Sequence, residues 1–232
     1  MAFSFSTRAR PLLPGRWRTT AIASIVVSVT AFTVLATAYR SQESAGRVDT
    51  LIANMVTEDT APQWTLAHDI TMLGTPWAVV AMSGLLMLVA AGVRSGWRAV
   101  VLAATGAPAA ALLAELALKP LVGRRLRGDL AFPSGHATGV AAVATVAVVI
   151  LVAGRVGART AQVATSLIAA ATVVAVGASL VVLDHHYATD VVGGALTATA
   201  TVCALALLLD RGTRGGDVRA GPPPQEETSG SA

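Results

Sequence analysis

Six apolar runs dominate this 232-residue chain, near 20–39, 73–93, 97–118, 137–153, 162–183 and 188–209. About 20 helical residues cross a bilayer core, so each run is long enough, or nearly so. The fourth is the shortest and needs residues from its flanks. Val and Thr are frequent and would weaken helices in water. In lipid the backbone must bond to itself, which favours helix regardless. The expected fold class is therefore all-α: a polytopic membrane protein with a six-transmembrane-helix bundle over 20–209. An N-terminal arm, 1–19, precedes it. A Gly-, Pro- and Glu-rich tail, 210–232, follows, and its composition reads as disordered. Small residues such as Gly139, Gly177, Gly193 and Gly194 would let helices approach closely.

Composition excludes the soluble classes. Charged residues make up 13% of the chain, about half the roughly 25% of soluble domains. The single cysteine, Cys203, permits no intrachain disulfide. The net charge of +4 does not indicate nucleic acid, because the arginines lie between apolar runs rather than on one soluble face. The first run resembles the core of a signal peptide but is longer than the usual 7–15 residues or so.

The arginines set an orientation. Arg8, Arg10, Arg16 and Arg18 precede the first run. Arg94 and Arg98, Arg155 and Arg159, and Arg211, Arg214 and Arg219 occupy alternate gaps and the end. Positive residues stay inside, so these segments, with both termini, are expected in the cytoplasm of a cell inner (plasma) membrane. The acidic gap 40–72 falls outside, where 46–59 has the spacing of an interfacial helix. The gap holding Lys119, Arg124, Arg125 and Arg127 also falls outside and breaks the rule. Anion binding is a reason for four cations there.

Three segments meet on that outer level: LKPLVGRRLRGD (118–129), FPSGHATG (132–139) and SLVVLDHHYATDVVGG (179–194). Lys and Arg neutralise phosphate oxygens, Arg with a bidentate fork. Ser134 and the N–H groups opening a helix complete an anion site, and Gly135 lets backbone come close. His136 is placed to move a proton. His186 and Asp190 are spaced i, i+4, which on a first helical turn shares a face. A carboxylate there fixes the imidazole tautomer and activates the other nitrogen.

These segments resemble the signature of the type-2 phosphatidic acid phosphatases, membrane lipid phosphatases. That signature is a Lys followed by Arg, a Pro-Ser-Gly-His block, and Ser-Arg-x5-His-x3-Asp. Lys119, the block Pro133 to His136, and Ser179, His186 and Asp190 match it. The resemblance spans roughly 73–209. It implies a metal-independent mechanism without cofactor on a lipid phosphate substrate, either polyprenyl diphosphate or phosphatidate-type. His186 would be the nucleophile that forms a phosphohistidine, Asp190 its orienter and His136 the acid for the leaving group. Lys119, an arginine among Arg124, Arg125 and Arg127, Ser134 and Gly135 would bind the phosphoryl oxygens. Two departures stand out. Leu180 replaces the Arg of the third motif, and Leu126 stands seven residues after Lys119, with no Arg-Pro there. The extra arginines would then reach the same oxygens.

Plainer readings accompany these. His185 lacks the spacing to Asp190 and reads as interfacial. His68, Asp69 and Asp184 read as loop residues. Glu115, four residues before Lys119, reads equally as an ion-pair partner or as its orienter. Trp64, Trp77 and Trp97 flank spans as anchors do. A phosphotransferase on the same scaffold and a weak lipid-phosphate binder are the alternatives in function. A transporter fits less well, because the polar residues cluster at one level rather than at the midplane.

Overall fold

The computed structural model describes residues 11–57, 60–92, 96–154 and 159–211. Each of the six apolar runs forms helix. Helix α1 (Gly15–Ala38) leads into the short α2 (Arg47–Val56) and α3 (Ala61–Thr71). A single 3-10 turn, Met72–Gly74, bends the chain into α4 (Pro76–Gly92) by 54°. Helix α5 (Trp97–Leu112) continues through a π-helical stretch, Leu113–Leu118, into α6 (Lys119–Val122). Pro120 has no N–H to give to residue 116, and its ring crowds that carbonyl, which explains the widened turns just before it. A hairpin of β1 (Arg125–Leu126) and β2 (Asp129–Leu130) follows. Then come α7 (Gly135–Gly154), α8 (Arg159–Val182) and α9 (Ala188–Arg211). Arg94, Arg155, Arg214 and Arg219, the first ten residues and most of the tail lie outside the described residues.

Four helical segments have the length and apolarity to cross a membrane: α1, Trp97–Val122, α8 and α9. The bent pair ending in α4 makes a fifth, while the apolar part of α7, Gly135–Leu151, is shorter. The expected six spans therefore stand at four, or five with the bent pair, and the run that read as short is among those that fall short. Large apolar side chains face outward, among them Trp77, Leu88 and Leu116, as lipid contact requires and water disfavours. The chain is an all-α, multi-pass membrane protein.

Helix α7 sits at the centre, packed on α4, α5, α8 and α9. The helices approach closely because one partner is small at each crossing. A methyl group at Gly139 would meet Val79, one at Gly106 would meet Val146, and one at Gly177 would meet Val191. On α9, Gly193 receives the ring of Phe132, and Gly194 lies against the Ser134 carbonyl and the backbone of Thr138. The core is otherwise alanine-rich, including Ala103, Ala107, Ala142, Ala198 and Ala206.

Both ends of α9 are tied by carboxylates. At one end the buried Asp210 meets Arg98 at 3.3 Å and accepts the N–H groups of Leu12 and Leu13. At the other, Asp190 enters the cluster described next. The residues expected to carry chemistry all gather at this second end.

Candidate active site

The α8–α9 loop supplies His186 and Asp190. His185 and His186 both donate backbone N–H to the Leu180 carbonyl, which curls the loop back onto α8. His186 lies just before α9 rather than on its first turn, where spacing alone had put it. Asp190 is the third residue of that helix, and its Oδ2 accepts the N–H of Tyr187 at 3.0 Å, a reciprocal cap of the kind acids make at helix starts. The pair still meets: His186 Nδ1 is 3.7 Å from Asp190 Oδ2, and Nδ1 is buried with no other partner. Contacts of this kind commonly tighten only when substrate is bound. His185 is exposed and has no such carboxylate. A cavity of about 200 Å³ opens beside His186 between α2 and the α8–α9 loop, lined also by Ala45, Thr50, Ala53 and Tyr187.

The Pro-Ser-Gly-His turn docks on the same helix start. Ser134 donates its N–H to the Asp190 carbonyl at 3.0 Å. Its hydroxyl is fully buried and accepts the Ala137 N–H, capping α7. Of the two roles expected of Ser134, the helix cap is the one this contact displays. Gly135 and His136 open α7, with their N–H groups at its unsatisfied end. His136, His185, His186, Lys119 and Glu115 form one electrostatic neighbourhood. Gly74, at the bend before α4, backs His136: a β-carbon there would lie 2.9 Å from the His136 β-carbon and 3.1 Å from Cδ2. Gly74→Ala should therefore displace the His136 ring. A misplacement of that kind costs on the order of 10²-fold in turnover; steady-state kcat alongside an unchanged melting curve would register it.

The arginines divide in a way the sequence did not foretell. Arg124 is fully buried. Its Nη1 donates to Thr189 Oγ1 and Asp190 Oδ1, each at 2.6 Å, and its Nη2 to Asp49 Oδ2 at 2.6 Å. Tyr39 and Tyr187 sandwich the guanidinium, with ring centroids 4.3 and 4.2 Å away. Both terminal nitrogens of Arg124, one of the arginines expected to bind phosphate, are occupied by carboxylates. The guanidinium holds Asp190. Arg125 donates to the Gly128 carbonyl and Arg127 pairs with Asp184, both on the exposed hairpin. That hairpin turns through Arg127 and Gly128 at φ 53° and 92°, as a two-residue turn with left-handed backbone requires. The arginines next to Lys119 thus serve the loop and the cluster. Leu180 is also closed to a cation: it is packed with Ala137, Val140 and Val176 between α7 and α8.

Asp49 was not among the expected site residues. It sits on α2, the expected interfacial helix, whose Val48, Leu51 and Met55 are exposed on the apolar side. Asp49 faces the other way, into the cluster. Beyond Arg124 it accepts the N–H and hydroxyl of Thr189 at 2.9 and 2.8 Å. Burial pushes its carboxyl up, but bonds from Thr189, Arg124 and Gly46 outweigh that and hold it below the ordinary range. The only local signal was a Gly-x-x-Asp helix start, 46–49; its partners lie 75 and 140 residues away.

Lys119 is largely enclosed and pairs with Glu115 at 2.9 Å. Glu115 lies in the widened turns and Lys119 just after them, and the Glu115 carboxylate lies against Gly135.

The match to the PAP2 superfamily model runs over residues 23–214, and so takes in every residue of this cluster. The chain belongs to the PAP2 superfamily. Among solved structures it is similar to a transmembrane PAP2-type phosphatidylglycerolphosphate phosphatase from Bacillus subtilis, at 24% identity and a TM-score of 0.62, over 86% of this chain and 98% of that one. This similarity concerns the PAP2 fold. No curated protein matches the chain.

Proposed function

We propose that this PAP2 protein is an integral membrane lipid phosphatase working through a phosphohistidine. His186 Nε2 attacks phosphorus while the bond from phosphorus to the lipid oxygen breaks. Asp190, beside Nδ1, stabilises the imidazolium. His136 gives its proton to the leaving oxygen. Water then attacks the phosphorylated nitrogen's phosphorus, His136 takes a proton from it, and phosphate leaves. Lys119 and the N–H groups opening α7 face the phosphoryl oxygens, where charge spreads in the transition state. The single observation carrying this reading is the meeting of His186 with Asp190 at 3.7 Å, next to His136 and Lys119, at one end of an apolar bundle.

The substrate is an amphiphile with its phosphate at the membrane surface and its tail among the helices. Phosphatidate-type lipids, including phosphatidylglycerolphosphate, and polyprenyl diphosphates both meet that description. The alternating arginines of the sequence support an extracytoplasmic site. The test is phosphate release by the purified protein in detergent micelles with EDTA present, offering phosphatidate, phosphatidylglycerophosphate and a polyprenyl diphosphate side by side. Turnover unaffected by EDTA supports the reading, and the rank order identifies the substrate class. No turnover on any of them by folded protein favours a phosphotransferase or a binder.

A further inference from the structure

Lys119 is left with an unusual charge balance. Leu126 and Leu180 stand where the family pattern has arginines. Arg124 is neutralised by Asp49 and Asp190, and Arg127 by Asp184. Among the described cations near the two histidines, Lys119 is the one that acts on His136 at the opening of α7, and it already holds an anion. Glu115 Oε1 lies 2.9 Å from Lys119 Nζ. The same oxygen presses on Gly135: a side chain there would overlap the Glu115 carboxylate. A carboxylate therefore rests on the ammonium and the glycine turn expected to receive a phosphoryl group.

The two partners differ in freedom. The Lys119 side chain is 14% exposed, that of Glu115 46%. Lys119 cannot leave and, so enclosed, favours a neighbouring anion at all times. Glu115, less enclosed, has room to swing away from the ammonium. Two like-charged groups cannot share one ammonium without repulsion.

We propose that Glu115 is an internal competitor for the phosphoryl site. It occupies Lys119 when the site is empty, yields to substrate, and returns as product phosphate departs, which disfavours rebinding of free phosphate. This rests on the phosphatase reading above and adds a competitor at its anion site. The charged groups facing Glu115 are Lys119 on its own segment, and His136 from α7 with His186 beyond it.

The test compares wild type with Glu115→Gln and Glu115→Ala in micelles. It measures KM for the best lipid phosphate and inhibition constants for inorganic phosphate and orthovanadate. Removing the carboxylate is expected to tighten both inhibitors by about 10-fold, the effect of one like charge near the site. KM should fall as well, with turnover slowed by retained phosphate. Tighter inhibition is an outcome that simple damage to Lys119 does not produce. Unchanged or weakened inhibition in both variants, with KM raised, overturns the proposal and leaves Glu115 as an orienter of Lys119. A wild-type protein that neither turns over lipid phosphate nor binds vanadate overturns the phosphatase reading, and this proposal with it.

Discussion

Arg124→Met is expected to destabilise the protein by about 3–5 kcal/mol, the range for breaking a buried ion pair from one side. The change removes the cation shared by Asp49 and Asp190, both enclosed at 2% or less. It also takes the charge out from between Tyr39 and Tyr187. Typical total stability is only about 5–15 kcal/mol, so much of the native population is at risk. Thermal unfolding in detergent measures the loss. Arg124→Lys is the informative companion. It keeps the charge but cannot bond Asp49 and Asp190 with separate nitrogens, because lysine lacks the fork. That variant should fold, and still lose turnover because Asp190 is no longer held. A stable Arg124→Met protein with normal KM and kcat would show that the cluster does not position the site.

His186→Ala is the second large effect. Removing a nucleophile that acts as part of a unit can cost 10⁴-fold or more. Turnover should vanish into background, and no acid-labile phosphoenzyme should be trapped on quenching with labelled substrate. His185→Ala is the matched control: that side chain is exposed and lacks the contact to Asp190. It should retain labelling. If His186→Ala still labels, the nucleophile lies elsewhere and the assignment of Asp190 falls with it.

The helices were legible because lipid enforces a simple rule: long apolar runs must close their own hydrogen bonds. All six runs became helix; by length the α7 run falls short of a span, and the α4 run makes one only together with the bent helix before it. That Lys119, His136, His186 and Asp190 gather in one place was legible because each lies in a short local pattern at one membrane level. Glu115 was legible as a partner of Lys119 because i, i+4 spacing is local too. The partners of Arg124 were not legible. A cation beside an anion site looks the same in sequence whether it faces substrate or a buried carboxylate, and Asp49 lies 75 residues away. Gly74 escaped notice for a similar reason, since its importance comes from the His136 side chain packed against it. Leu180 was read as a missing cation; packing shows a filled apolar niche.

Helix α9 carries its two anchoring carboxylates, Asp190 and Asp210, twenty residues apart. At 1.5 Å per residue that separation is about 30 Å, close to the hydrocarbon thickness of a bilayer. Lone helices answer a thicker or thinner membrane by tilting. This one is fastened to its neighbours at both margins of the slab, so it cannot tilt alone. A mismatch in thickness therefore loads directly onto Arg98 at one margin and Arg124 at the other, and the second of these grips the acid behind His186. Turnover in vesicles should in consequence depend on acyl-chain length, even for one and the same substrate headgroup.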